Sequence, residues 1–340
     1  MKSRLQIRHF FLAFLLAWLC GCGLPQSALS PHGKAADYLA VLLWIEVAVL
    51  SGVTVVMWIL IVWASIRKRG SLDEHEPWDL SGGHSWALIG GFVVPFVILS
   101  VLFGLGTDWL SNFPVDAGKD PGGPEIQVIG HQWWWELHYV RGPVDQHFIT
   151  ADVIHIPAGR PVNIEVQTED VIHSFWVPAL HGKIDLIPGQ PNFIRIEADR
   201  PGIYRGQCAE YCGEEHARML LWVVAQTPQD YEAWRLNELQ PASNPTSQEA
   251  LHGRDVFMGA ACALCHEIRG TMALGRVAPD LTHIGSRPRI ASNYYDNNDA
   301  NLEAWITHAQ SLKPGSEMPN LTAFSGSDLR AMVAYLRQLK

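Results

Sequence analysis

The sequence predicts a multidomain membrane protein: a two-helix transmembrane hairpin, then an all-β domain, then a small all-α domain. Three observations predict it. Two long apolar runs lie in the first third, alternation of period two broken by turns fills the middle, and helical faces with caps close the chain. Of 340 residues 48% are hydrophobic and only 17% charged, against roughly 25% charged in an average soluble domain. A disordered chain is excluded. The net charge of -9 falls on residues 111–240, and the segments on either side are neutral. Phosphate binding needs a basic patch, so no nucleic-acid partner is expected.

The hairpin comes first. Lys2, Arg4 and Arg8 precede an apolar stretch from Phe10 to Leu19, the layout of an export signal and too short for a span. It ends Leu19-Cys20-Gly21-Cys22, which resembles a bacterial lipoprotein cleavage box. That resemblance makes residues 1–21 a removed signal and Cys22 the lipidated first residue of the mature chain. Residues 38–66 then run with one charge, Glu46, and residues 86–107 with none. Each exceeds the roughly 20 residues that cross the hydrocarbon. Arg67, Lys68 and Arg69 between them place the loop in the cytoplasm and both outer ends outside. The export signal requires the same orientation. Glu46 reads as an interfacial group turned toward water or a helix partner, with a proton path as the alternative.

From Pro124 to Thr227 short segments alternate. Val162, Ile164 and Val166 interleave with Asn163, Glu165 and Gln167, and Pro157, Pro188 and Pro201 punctuate. The reading is a sandwich or barrel of about 100 residues. Thr227-Pro228 opens a closing helix. Near the end stand Cys208, Glu210, Cys212, His216 and Met219. Soft sulfur ligands with imidazole select copper. Cys212, His216 and Met219 alone resemble a single-copper ligand loop. Cys208 adds a second thiolate, able to bridge a copper pair. The second imidazole must come from upstream, and His173 is the candidate. The alternatives are a Cys208–Cys212 disulfide, which leaves His216 and Met219 unexplained, and a zinc site, which rarely takes Met.

The spacing Cys-x-Glu-x-Cys-x-x-x-His-x-x-Met resembles the dinuclear copper A site of cytochrome c oxidase subunit II, and every position matches. The resemblance covers roughly residues 30–240 and implies a cupredoxin-like sandwich over 111–240. It implies that Cys208 and Cys212 bridge two copper ions and that His173 and His216 are terminal ligands. Met219 and the Glu210 carbonyl would be weak ligands, and the Glu210 carboxylate would face a magnesium ion shared with subunit I. Gly130-His131-Gln132-Trp133-Trp134-Trp135 also fits this family, which uses an exposed aromatic at the place of Trp133 where electrons enter. Trp134 and Trp135 read as packing residues. His138, His147, His155 and His181 read as structural or solvated.

Residues 241–246 read as a polar, proline-bearing linker, and Thr246 to Glu249 as a capping box opening a helix of the 247–340 domain. Cys262-Ala-Leu-Cys265-His266 is the pattern of covalent haem c attachment: two thiols bond the vinyls and the imidazole lands on the iron. The sixth ligand must be distant. Met318, in a loop bounded by Pro314 and Pro319, resembles the Met-Pro loop of class I cytochromes c. Met258, Met272 and Met332 are the alternatives. Pro279 resembles the proline whose carbonyl takes the axial histidine's proton. Leu329, Met332, Val333, Leu336 and Leu339 form one helical face, expected to pack near Gly253 and Phe257.

The whole order, with the hairpin in 22–110, resembles subunit II of a bacterial haem–copper oxidase with a fused cytochrome c. That resemblance implies an inner-membrane protein with both metal domains outside. It would pass electrons from a donor, such as a cytochrome c or a quinol–cytochrome c reductase, through haem c to copper A and on to subunit I. Oxygen reduction and proton pumping would belong to subunit I and its partner subunits. The alternatives are the copper A subunit of a nitric oxide reductase and a membrane-tethered carrier with no oxidase partner.

Overall fold

The computed structural model describes residues 26–67, 81–113 and 123–340. The export signal and Cys22 lie outside these residues, as do Lys68 and Arg69. Two compact units result, one within Asp37–Pro114 and one holding residues 26–36 with 123–340.

In the first unit α1 spans Lys34–Ile66, and the second apolar run forms α2 (Ser81–Leu88), a π-helical turn Ile89–Val93 and α3 (Val94–Ser111). Both runs are long and apolar enough to cross a membrane. Pro95 has no N–H and crowds the preceding turn, and the wide turn just before it takes up that misfit. Trp58, Phe92, Phe96 and Phe103 point outward, as a lipid-facing surface requires. The indole of Trp109 donates to the carbonyl of Tyr38 at 2.9 Å, joining the two outer ends.

In the second unit ten strands form two five-stranded sheets. The first sheet holds β1 (Ile126–His131), β2 (Trp134–Tyr139), β3 (Phe148–Ala151), β5 (Val162–Thr168) and β8 (Asn192–Ile196). Their order is β3-β2-β1-β5-β8, with β1 and β5 parallel. The second holds β4 (Val153–Pro157), β6 (His173–Trp176), β7 (Ile184–Leu186), β9 (Gly202–Cys208) and β10 (Leu220–Gln226). Its order is β4-β10-β9-β6-β7. Of the two arrangements open to the alternating pattern, this is the sandwich. Inward-facing Val128, Trp135, Leu137, Ile164, Val166, Phe175 and Leu221 fill the space between the sheets and are fully buried. Helix α4 (Pro228–Glu238) follows, capped by the Thr227 hydroxyl on the Asp230 amide at 3.2 Å.

The last hundred residues are helical: α5 (Gln248–Gly259), the one-turn α6 (Cys262–Cys265), α7 (Asp299–Leu312) and α8 (Gly326–Gln338). A two-residue ribbon pairs β11 (Arg289–Ile290) with β12 (Tyr295–Asp296). The cap of α5 is Ser247, one residue later than the capping-box reading, because the Thr246 amide is taken by Gln338 at 2.9 Å. Helix α8 presents Met332, Val333, Leu336 and, just beyond it, Leu339 to the core. It crosses α5 so closely that a Cβ at Gly253 would stand 1.8 Å from the Ala331 carbonyl, and Phe257 meets Tyr335 edge-on at 6.0 Å. The stretch between the domains is packed: Pro241 lies against Gly270, Ala242 donates to the Arg269 carbonyl at 2.9 Å, and Ser243 to the Gln338 carbonyl at 2.6 Å.

Candidate functional site

The copper-type donors converge at one end of the sandwich. Cys208 ends β9, and the turn after it returns Cys212, His216 and Met219 before β10 begins. His173 starts β6, and β6 pairs with β9 through Phe175 and Cys208, which brings the distant imidazole alongside. The two sulfurs stand 3.8 Å apart, far beyond a disulfide bond. His173 Nδ1 lies 3.8 Å from Cys208 Sγ, and His216 Nδ1 lies 3.6 Å from Cys212 Sγ. Met219 Sδ is 3.9 Å from Cys212 Sγ, and the Glu210 carbonyl 3.2 Å from Cys208 Sγ. His173, Cys208, Cys212 and Met219 are all buried.

The two thiols and the His173 imidazole shift one another's protonation. The hydrogen bond from Cys212, with those of His173 and two backbone groups, favours a thiolate on Cys208, and that charge pushes the Cys212 thiol up. The pair therefore favours one thiolate over two. Burial disfavours the charged form of His173, but the hydrogen bond to Asp170 and the contact with Cys208 outweigh it and raise its pKa. Nε2 of His173 meets Asp170 Oδ1 at 2.8 Å, leaving Nδ1 facing the sulfurs. The other Asp170 oxygen accepts from the Gln132 amide at 2.6 Å. Sequence reasoning missed Asp170. The signal was present, since a ligating imidazole wants a partner on its other nitrogen and Asp170 stands three residues away.

The haem-type motif sits in the α5–α6 corner. His266 Nδ1 donates to the Pro279 carbonyl at 2.7 Å, as the sequence implied, which turns Nε2 away for an iron. Burial lowers the His266 pKa against the effect of that bond, keeping the imidazole neutral. Cys262 and Cys265 are free thiols. Met318 packs partly buried against the same core, its carbonyl held by Gln310 at 2.7 Å. Met332 is core at 1% exposure, and Met272 stands 89% exposed.

Trp133 is 8% exposed, which differs from the exposed aromatic that the resemblance implied. Its Nε1 donates to the Cys212 carbonyl at 3.0 Å. The haem-domain loop covers its ring: a Cβ on Gly315 would lie 3.1 Å from it, and one on Gly213 2.9 Å from it on the copper-loop side. Both glycines have positive φ, +78 and +120, so glycine alone suits each.

Both domains resemble known families. The family described as cytochrome c oxidase subunit II, periplasmic domain, matches residues 143–226, and the cytochrome c family matches 250–340. Cytochrome c oxidase subunit 2 of Alkalihalophilus pseudofirmus is 37% identical over 98% of this chain and 97% of its own length. The chain belongs to the cytochrome c oxidase subunit 2 family. The Bacillus sp. PS3 subunit 2 is 31% identical over 97% of this chain and 95% of its own. The solved periplasmic domain of subunit II from Bradyrhizobium japonicum, 29% identical, covers 33% of this chain and 91% of that one with a TM-score of 0.31. As a subunit 2, the protein is a membrane-anchored electron-transfer subunit of a terminal oxidase, with its sandwich and cytochrome c domain outside the membrane.

Proposed function

We propose that this subunit takes electrons at its haem domain, passes them to a dinuclear copper A centre in the sandwich and delivers them to subunit I. There oxygen reduction and proton pumping take place. One observation carries the reading: two buried thiols 3.8 Å apart, flanked by two imidazoles and a thioether. This donor set fits a copper pair that shares one electron. Cys208, Cys212, His173 and His216 would hold it, with Met219 and the Glu210 carbonyl as weak ligands. Cys262 and Cys265 would hold haem c, with His266 and Met318 on its iron. Copper A and haem c, when bound, supply the one-electron chemistry.

The chain's own residues orient and insulate. Asp170 fixes the His173 ring. The Pro279 carbonyl fixes His266. Trp133 stands with its indole on the Cys212 carbonyl and its ring under the Met318 loop, so electrons would enter the sandwich there from the tethered domain. The Glu210 carboxylate would face magnesium shared with subunit I, and Cys22 would carry a lipid at the periplasmic face of the bacterial inner membrane. Working domain limits are 22–110, 111–240, 241–246 and 247–340.

Purification from membranes tests the reading. We expect oxidase subunit I to co-purify, oxygen uptake with reduced cytochrome c, and an unpaired electron shared by two coppers. Co-purification with a subunit that reduces nitric oxide, or hyperfine structure from one copper, overturns it.

A further inference from the structure

Lys313 is the most unusual charge among the described residues. Its side chain is 3% exposed, at the end of α7. Its Nζ donates to the backbone carbonyl of Trp133 at 2.5 Å and to the Ser292 hydroxyl at 2.9 Å. The same carbonyl accepts from Ser292 Oγ at 2.5 Å. Burying an ammonium is unfavourable unless it is hydrogen-bonded and neutralised. Burial accordingly pulls its pKa down to about 8, against the opposing pull of Asp152 and Glu215.

A second observation converges on this seam. Among the described residues four that are not glycine have positive φ: Asp152 at 63, Ala291 at 53, Ser292 at 57 and Asn293 at 60. All four meet here, for Asn293 donates to the Asp152 carbonyl at 2.7 Å. Such a run is disfavoured for L-residues and persists where surrounding contacts over-determine it. Between β11 and β12 it forms a hook that presents the Ser292 hydroxyl and the Asn293 amide to the sandwich. Arg218, from the loop between His216 and Met219, completes the grip on the Leu312 carbonyl at 3.0 Å.

Apolar faces can slide over one another. A buried ammonium with hydrogen-bonded partners at fixed points has one register. We propose that Lys313 is a positioning residue for electron passage: with Ser292 on the Trp133 carbonyl, it locks the haem domain in a single register over the Trp133 ring. The proposal rests on the electron path given above. Lys313 touches neither metal centre, and it acts through Trp133.

The test uses the full chain in the assembled oxidase, comparing the parent with Lys313→Met. Hydrogen exchange reads docking without activity. Segments 131–136 and 289–296 should exchange about tenfold faster or more in the variant, while 204–212 and 250–258 keep the parental rate. Rapid mixing with reduced cytochrome c should show an unchanged donor-to-haem step and haem-to-copper passage slowed about tenfold or more, as expected when the two hydrogen bonds of the ammonium are lost. The proposal needs both effects, and the absence of either overturns it. If Lys313→Met does not assemble, Lys313→Gln, which keeps a donor without the charge, carries the same comparison. Failure of the parent itself to pass electrons from haem to copper would overturn the path instead.

Discussion

The indole Nε1 of Trp133 donates to the backbone carbonyl of Cys212 at 3.0 Å. That carbonyl also accepts from the Gln132 side chain at 2.7 Å. The ring buried under the haem domain is thus bonded to Cys212, one of the two buried thiols of the site. Trp133→Phe removes one of the two donors and should lower the stability of the chain by about 1 kcal/mol. It should also slow haem-to-copper passage while leaving the copper spectrum in place. Denaturant unfolding and rapid mixing check the two effects.

Asp170 holds His173 from behind at 2.8 Å. Asp170→Asn leaves every ligand in place and alters the basicity and orientation of one. Metal affinity should fall about 10- to 100-fold, the usual cost of losing such a partner. Copper retention against a graded chelator measures it.

Cys212 is bonded or close to Trp133, Gln132, His216 and Met219. Cys212→Ser replaces a soft thiol by a poor copper ligand. The shared-electron signal should disappear and the copper content should fall by half or more, while the haem spectrum stays unchanged. Electron paramagnetic resonance with metal analysis reads both.

Gly253 leaves no room for a side chain, since its Cβ would approach the Ala331 carbonyl to 1.8 Å. Gly253→Ala should separate α5 from α8 and destabilise the haem domain by about 2 kcal/mol or more. Thermal unfolding followed at the haem band should show it, with the copper centre unaffected.

His155 stacks on Trp234 with centroids 4.0 Å apart and pairs with Gln226 at 2.8 Å. Burial lowers its pKa from 6.5 to about 4. Between those values the unfolded chain binds the extra proton. Stability is therefore full above about pH 6.5 and falls as pH drops toward 4, by up to about 3 kcal/mol. His155→Gln should flatten that slope in urea titrations at successive pH values. An unchanged slope would assign the acid sensitivity elsewhere.

Much of this was legible because local chemistry determined it. Apolar length set the spans, alternation set the strands, and the spacing from Cys208 to Met219 marked donors that converge at one end of the sandwich. His173 was readable as the upstream imidazole that the set still needed, and Met318 from the resemblance of its proline-bounded loop to that of class I cytochromes c. The seam between the domains was not readable. Lys313 stands 180 residues from Trp133, and nothing in Ala291-Ser292-Asn293 marks a left-handed run. Asp170 and the single-residue shift of the α5 cap to Ser247 show the same limit, since tertiary partners decided both. The charge of -9 on residues 111–240 left the docking chemistry hidden, which is carried by a few buried bonds rather than by the field of the domain.

The stretch from Pro241 to Thr246 packs on the haem domain at Pro241 and is hydrogen-bonded to it at Ala242, Ser243 and Thr246. A slack tether would let that domain wander and return, so that transfer would depend on encounter frequency. A pinned one gives the internal step first-order kinetics, indifferent to dilution and little affected by ionic strength. Only the arrival of the outside donor remains a collision, and only there should added salt change the rate of respiration.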